Sequence, residues 1–217
     1  MATLKLQETN PKKFCVQDAQ KNMHGAWYYP VTQGDTKLHP RVQVTTDDCP
    51  LRIPFGASSF NDSARLSLDF SIPKYDQAII DFFQKLDEHI LEWAWTNRDT
   101  VFKRPPQSQE ALRDMYCPCL QQKQDFDPLL KTKLNSSGLV FKVSDKGVVK
   151  SSISEIEGGS HGVPVVSVDR IWTMSGRFGL TLCTQALLLF PRQERTVNDI
   201  FALSDVFSAA VTPVRAG

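Results

Sequence analysis

Residues 163–190 read VPVVSVDRIWTMSGRFGLTLCTQALLLF, and they determine the class of fold. Two apolar runs rich in β-branched side chains flank Ser175-Gly176, a pattern that favours a tight turn between antiparallel strands. It predicts the longest strand pair of the chain, Val163 to Met174 with Arg177 to Phe190. A hairpin of this length indicates a protein whose core is built on a β-sheet.

The register of this hairpin decides where Trp172 lies. A two-residue turn pairs Trp172 with Gly179 and leaves the ring on the less apolar face of the hairpin. In that register the less apolar face carries Val166, Val168, Arg170, Trp172, Met174, Arg177, Gly179, Thr181 and Gln185, and the core face carries Val165, Ile171, Phe178, Leu180, Leu182, Ala186 and Leu188. A three-residue turn with a bulge at Gly176 instead pairs Trp172 with Phe178 and can bury both. The sequence leaves both registers open.

Upstream of the hairpin the periodicity changes from strand to helix. A half-buried strand is predicted from Ala64 to Ile72, where alternate positions are apolar. From Lys74 to Thr96 apolar residues recur at steps of three and four, which predicts a long amphipathic helix. Its apolar stripe comprises Tyr75, Ile79, Phe82, Phe83, Leu86, Ile90 and Trp93, and its polar face comprises Asp81, Lys85, Asp87, Glu88 and Glu92. Ser108 is the expected N-cap of a second, short helix.

These elements predict a mainly β fold with a helical insertion (α+β). We expect an OB-like five-stranded barrel, a long helix between its early and late strands, and a C-terminal helix. The organisation expected is an N-terminal polar extension with one or two strands (1–46), the barrel (47–191) with the helical insertion at about 74–120, and a C-terminal helix and tail (192–217).

The sequence contains no complete motif for catalysis or for a cofactor. Gly158 to Gly162 fit the G-x-S-x-G pattern of serine hydrolases, but the following residues are strand-like and no histidine follows His161. A P-loop, an HExxH motif and a dinucleotide fingerprint are all missing. Cys117 and Cys119 offer two zinc ligands without a second pair. We therefore predict a protein that is not an enzyme and binds no cofactor and no metal.

The cysteines and the first residues indicate the compartment. Five cysteines without framework spacing favour reduced thiols. The first residues, MATLKLQETNPKKF, lack the apolar stretch of a signal peptide, and no run in the chain is long enough to span a membrane. We expect an intracellular protein of the cytoplasm or nucleus, or of a viral replication compartment if it is viral, with no membrane partner.

Positive charge and aromatic rings predict a binding site. The net charge is only +1, yet residues 131–150 contain five lysines against Asp145 alone. Single-stranded nucleic acid suits such a combination, because bases stack on aromatic rings while cations hold the phosphates. The predicted phosphate contacts are Lys131, Lys133, Lys142 and Arg177, the predicted stacking residues are Trp172, Phe141 and Trp27 or Tyr28, and Arg170 lies on the strand beside Trp172.

The order of segments also carries a family resemblance. The segments are LRIPFGASSF, ARLSLDFSI, FFQKLDEHILEWA, FDPLLKTKL, LVFKV and the late hairpin, whose residues 171–179, IWTMSGRFG, have the form I-W-x-x-x-G-[KR]-F-G. Across residues 50 to 190 the chain resembles the OB-fold single-stranded DNA-binding proteins of large eukaryotic DNA viruses and podophages. The resemblance implies that the protein coats single strands in replication or recombination, without sequence preference and without catalysis.

Two functions are compatible with these patterns. The first is a non-catalytic protein that binds single-stranded DNA, or RNA, and forms a homo-oligomer. The alternative is a structural protein that uses the same β scaffold to self-associate, which the near-neutral charge and an exposed aromatic cluster at Trp27, Tyr28 and Tyr29 favour.

Overall fold

The computed structural model describes residues 3–23, 25–34, 36–45, 49–59, 66–122, 125–145 and 147–190. The helix and tail predicted at 192–217 lie outside these residues, as do Lys146 and the start of the strand predicted from Ala64.

The secondary structure alternates between many short strands and three helices in the described ranges. The strands are β1 (Leu4–Lys5), β2 (Phe14–Val16), β3 (Gln20–Lys21), β4 (Trp27–Gln33), β5 (Arg41–Gln43), β6 (Leu51–Ile53), β7 (Ala57–Ser59), β8 (Leu66–Ser71), β9 (Tyr116–Cys117), β10 (Leu120–Gln121), β11 (Leu129–Ser144), β12 (Gly147–Ser151), β13 (Ser160–Met174) and β14 (Arg177–Phe190). The helices are α1 (Gln77–Thr96), α2 (Arg98–Val101) and α3 (Gln109–Met115), with 3-10 turns at Leu6–Glu8, Pro11–Lys13 and Ile153–Glu155.

Five of the strands close into a barrel. Around its circumference β13 pairs with β6, β6 with β8, β8 with β11, β11 with β14, and β14 with β13. All of these pairs are antiparallel except β11 with β14, which is parallel. Because α1 lies between β8 and β11 in the chain, the predicted OB-like barrel with a long helix between early and late strands is confirmed.

The turn between β13 and β14 has two residues. Ser175 and Gly176 both adopt positive φ, 51° and 77°, as a type I′ turn requires. Met174 therefore pairs with Arg177, and Trp172 pairs with Gly179. Of the two registers that the sequence leaves open, the structure contains the one with the two-residue turn.

Farther from the turn, the predicted division of the hairpin into two faces is wrong. Val166 and Val168, assigned to the less apolar face, are buried, whereas Ala186 and Leu188, assigned to the core face, remain partly exposed. The cause is a pair of register shifts, one between Val165 and Val166 and one between Val168 and Arg170. Each shift adds an unpaired residue, so strict alternation no longer predicts the face.

Helix α1 covers the core as its periodicity predicts. Its N-cap is Asp76, whose carboxylate accepts a hydrogen bond from the backbone N–H of Ile79 at 3.3 Å. The helix buries Ile79, Phe82, Phe83, Leu86 and Ile90, which join one hydrophobic core with residues of the barrel strands. Tyr75, predicted in the same stripe, is 89% exposed because it precedes the first helical turn.

The N-terminal segment adds strands to the barrel. Strand β4 pairs with β13, so that Tyr28 lies opposite Trp172, and β5 pairs with β13 farther from the turn. The segment contains β1 to β5, more than the one or two strands expected. Tyr29, predicted to be exposed, is buried with its ring 5.1 Å from that of Trp93. None of the helices in the described ranges is long and apolar enough to cross a membrane.

Candidate functional site

A cleft of about 350 Å³ lies on the outer face of the barrel, and we call it the outer cleft. Its floor is formed by side chains of β8, β11, β13 and β14, and one wall is formed by Cys117 to Gln121, which follow helix α3. Lys131, Lys133 and Trp172 all line it. Three of the predicted site residues, separated by about forty positions in the sequence, therefore share one depression.

Trp172 is held in the outer cleft with its ring half-buried. Its indole Nε1 donates a hydrogen bond to the carbonyl oxygen of Leu180 at 3.3 Å. The ring lies over the cross-strand partner Gly179, where a Cβ atom would meet indole Cζ2 at 3.1 Å. Fixing the indole in this way lowers the entropy that it would lose when a flat ligand stacks on it.

Lys131 and Lys133 place two positive charges beside the indole. Both side chains are exposed, and they lie two positions apart on the same face of β11. The neighbours across the strands are Asp69 for Lys131, and Ser67 and Cys183 for Lys133. The spacing along the strand is about 7 Å, so both ammonium groups can act on one short run of phosphates.

Arg170 and Tyr28 extend this face beyond the barrel. The guanidinium carbon of Arg170 lies 4.6 Å from the centroid of the Tyr28 ring, a cation–π contact. The Tyr28 hydroxyl in turn donates to the side chain of Gln20 at 2.9 Å. Since Tyr28 pairs with Trp172 across β4 and β13, both rings lie on the same face of the sheet.

A polar network of β13 and β14 adjoins the two basic side chains. Ser167 donates a hydrogen bond to the carboxylate of Asp169, and Gln185 Nε2 donates to the Ser167 hydroxyl at 2.8 Å. Burial and the nearby Asp169 carboxylate raise the pKa of Cys183 to about 12, although Lys133 and Arg170 act to lower it. The Cys183 thiol is therefore neutral at ordinary pH.

Asp87 of α1 holds the wall of the outer cleft. Its carboxylate accepts a hydrogen bond from the Tyr116 hydroxyl at 2.7 Å and another from the backbone N–H of Cys119 at 3.2 Å. Burial raises the pKa of Asp87, and these hydrogen bonds partly offset that effect. The sequence assigned Asp87 to the solvent-facing side of the helix; this is wrong because the segment after α3 folds back over it.

Solved structures of one phage protein are similar to this chain. A single-stranded DNA-binding protein from bacteriophage Enc34, in complex with single-stranded DNA, is 12% identical, with a TM-score of 0.43 over 83% of this chain and 98% of that chain. A C-terminal truncation of that protein is 16% identical, with a TM-score of 0.45 over 85% and 99% of the two chains. A third structure of it is 13% identical, with a TM-score of 0.42 over 86% and 99%.

The chain is similar to phage single-stranded DNA-binding proteins. The sequence resemblance was to the OB-fold single-stranded DNA-binding proteins of large eukaryotic DNA viruses and podophages, and the similar solved structures are of a single-stranded DNA-binding protein from a bacteriophage. No protein-family model and no curated protein matches the chain. Binding of single-stranded DNA is a property of that phage protein.

Four of the predicted site residues lie away from the outer cleft. Trp27 is 50% exposed and stacks with Lys21, but it points to the opposite face from Tyr28, its neighbour on β4. Arg177 is exposed at the hairpin turn. On β14 the partner of Lys133 is Cys183, whereas Phe141 pairs with Leu188 and Lys142 with Leu189. These partners lie five and six residues beyond Cys183, so Phe141 and Lys142 are roughly 17 Å or more from Lys133. Lys142 faces Glu155, with its Nζ 3.4 Å from the carboxylate.

Sequence reasoning missed several residues of the outer cleft. Alternation in β8 predicts that Ser67 and Asp69 face outward. Their position opposite Lys133 and Lys131 follows from the pairing of β8 with β11, which the sequence does not reveal. The wall at Cys117 to Gln121 has only a weak signal in the sequence, the Cys-Pro-Cys segment, which by itself indicates no more than half of a zinc site. Within the described ranges, no group of three or more His, Cys, Asp or Glu side chains is placed to hold a metal ion.

Gly179 is required for the packing of Trp172 against the wall. In the variant Gly179→Ala the new Cβ would lie 2.9 Å from the carbonyl oxygen of Cys117 as well as against the indole. We expect the free energy of unfolding, measured with urea, to fall by about 1–3 kcal/mol. The control is Gly176→Asn, where nothing lies within 4 Å of a Cβ and asparagine tolerates positive φ. An alanine variant as stable as this control would contradict the packing described.

Proposed function

We propose that this chain is a non-catalytic single-stranded DNA-binding protein that coats unpaired strands, inside the cell, during replication or recombination. The observation that carries the proposal is the outer cleft, where the Trp172 ring lies beside the exposed Lys131 and Lys133. An aromatic platform next to a short row of cations binds stacked bases and their phosphates together. No defined sequence is needed for such binding, because every base has a flat face.

The position of the cleft supports the same conclusion. Oligonucleotides bind OB barrels on the face of the second and third strands and near the loop between the fourth and fifth. Here those elements are β8, β11 and the turn at Ser175-Gly176, and the outer cleft lies on that face. Strand β4 adds Tyr28 to the same surface, where its ring contacts Arg170 of β13, so a bound strand can continue past the barrel.

Binding and its salt dependence test the proposal. The probe is a labelled mixed-sequence strand of about 20 nucleotides, longer than the site of one OB barrel, and the readout is fluorescence anisotropy. Three cations on the face, Lys131, Lys133 and Arg170, predict a slope of log K against log salt of about −2 for a single strand. No binding at low salt would overturn the proposal.

Trp172→Ala tests the stacking platform in the same assay. We expect the affinity to fall by about 1–3 kcal/mol, which is roughly 5- to 150-fold, because one base loses its stacking partner. Tyr75→Ala is the matched control, since Tyr75 is an aromatic residue exposed outside the outer cleft. Equal affinities for the wild type and Trp172→Ala would contradict the role of the indole.

Strand chemistry and assembly need separate measurements. Competition by an RNA strand of the same sequence distinguishes DNA from RNA as the preferred partner. The homo-oligomer expected from the sequence stays a prediction, which light scattering of the free protein tests.

One observation favours the alternative, a self-assembling structural protein. Leu139, Val148 and Val149 of the β11–β12 hairpin are exposed apolar residues that do not line the outer cleft. An assembly protein would form its oligomer without DNA and would not bind the labelled strand at low salt, so light scattering read together with the anisotropy assay separates the two functions.

A further inference from the structure

We propose that the barrel carries a docking surface for its own C-terminal segment, residues 196–207, on the outside of the sheet. We call this surface the outer apolar face. It lies on β13, β14, β11 and β12, at the end of the β13–β14 hairpin far from the Ser175-Gly176 turn. The inference goes beyond the proposed function, because it assigns a partner to a surface separate from the outer cleft.

Strand alternation places the outer apolar face on the outside of the barrel. On the inner side Val140, Leu187 and Leu189 are buried. Val163 pairs with Leu188, and Leu188 pairs with Phe141, so the outward side chains of three strands are contiguous. The face comprises the partly or fully exposed Val163 and Val165 of β13, Ala186, Leu188 and Phe190 of β14, Leu139, Phe141 and Val143 of β11, and Val148 of β12. A contiguous exposed apolar surface marks an interaction site.

Positive side chains flank the outer apolar face on both sides. Arg52 of β6 lies opposite His161 on one side, and Lys150 of β12 lies opposite Phe141 on the other. Both cations are exposed, and β6, β11, β12 and β14 contain no acidic residue. Two copies packed through this face would bring cations together, which is unfavourable. The charges therefore favour a partner that is apolar and acidic.

Residues 196–207, TVNDIFALSDVF, have this complementary pattern. They belong to the C-terminal helix predicted from the sequence. Its apolar stripe, at steps of three, four and seven, comprises Val197, Ile200, Phe201 and Phe207. The charged residues of the segment are Asp199 and Asp205, and helical spacing places them on opposite sides of this stripe. An apolar stripe between two carboxylates matches an apolar face between two cations.

The connection and the dimensions suit this docking. Phe190, the last residue of β14, belongs to the outer apolar face itself. The next five residues, 191–195, can span up to about 17 Å. Four adjacent strands extend over about 14 Å, and a helix is about 10–12 Å wide. A helix that covers the apolar side of a sheet is a common architecture, because each buries the other's apolar surface.

Photo-cross-linking in the full chain tests where the segment lies. Phe201 is replaced by the photoreactive p-benzoylphenylalanine, and the products of irradiation are mapped by mass spectrometry. We expect cross-links within one chain to residues of β11, β13 or β14 that form the outer apolar face. Cross-links between two chains would assign the face to a second copy and overturn the inference. Cross-links elsewhere in the chain, or none, would also overturn it.

Reversal of the flanking charges tests the complementarity. In Arg52→Glu with Lys150→Glu, two attractions become repulsions on an exposed surface. We expect hydrogen exchange of residues 196–207 to become about fivefold faster or more, because exchange reports local opening. The matched control is Lys12→Glu with Lys85→Glu, two exposed lysines beside other elements, which should keep the wild-type rate. Equal rates in the two double variants would contradict the docking.

The same variants separate this inference from nucleic-acid binding. We expect both double variants to bind the labelled mixed-sequence strand equally well. A larger loss in Arg52→Glu with Lys150→Glu would mean that the outer apolar face holds DNA, and the inference would fall. Failure of the wild type to bind any strand would overturn the proposed function and leave this inference intact.

Discussion

Reversing both lysines of the outer cleft, Lys131→Glu with Lys133→Glu, is expected to lower the affinity for single-stranded DNA more than a hundredfold. The two side chains are exposed and adjacent on one face of β11, so two carboxylates would meet the phosphates where two ammonium groups now stand. Like charges brought together at an interface cost several kcal/mol, and about 3 kcal/mol already exceeds a hundredfold. Anisotropy at low salt, where the wild type binds most tightly, measures the loss.

The matched control reverses two lysines elsewhere. Lys85 of α1 and Lys12, in the 3-10 turn before β2, are both exposed and line one groove that shares no residue with the outer cleft. Lys12→Glu with Lys85→Glu changes the net charge by the same amount, so it reports the effect of overall charge alone. If both double variants lost affinity equally, the outer cleft would not be the binding site.

Phe178→Ala is expected to lower the free energy of unfolding by about 3–5 kcal/mol, the usual cost of removing a buried phenylalanine ring. The side chain is fully buried, with its ring centroid 5.2 Å from that of Phe102 and 5.0 Å from that of Tyr116. Both partners belong to the helical insertion, so this ring joins the insertion to the barrel. A loss of this size is a large part of the stability of a typical domain, about 5–15 kcal/mol.

Chemical denaturation measures this loss, and Met174→Ala is the control. Met174 lies at the end of the same strand pair, four residues from Phe178, but it is 70% exposed. Its truncation should change the stability by no more than about 0.5 kcal/mol. A change below about 1 kcal/mol in Phe178→Ala would mean that the barrel and the insertion do not meet at this ring.

The parts of the fold that were predictable have strong local signals. The periodicity of α1 comes from burying one side of a helix, and the place of the turn at Ser175-Gly176 is marked by two turn residues between apolar runs, while the choice between the two registers stays open in the sequence. The alternation of apolar and polar residues in β8 correctly predicts which of its side chains, such as Leu68 and Phe70, are buried. In each case neighbouring residues determine the local structure, so the sequence contains the necessary information.

The parts that were not predictable depend on contacts between distant segments. The register shifts beside Val166 and Arg170 have no local signature, and they change which side chains of β13 face the core. The helical pattern predicts that Asp87 faces solvent, but in the structure the segment after α3 covers it and donates hydrogen bonds to its carboxylate. Lys131 and Lys142 belong to the same lysine-rich stretch, but residues 135–138 interrupt the pairing of β11, and the two side chains lie in different parts of the protein.

The parallel pairing of β11 with β14 also affects how the protein is made. Of the described strands, β14 is synthesised last, and it fills the gap between β11 and β13. Until then, the nascent chain exposes two long strand edges that can pair with other chains. A chain that ends before Arg177 would therefore be prone to aggregation, because the barrel cannot close without β14.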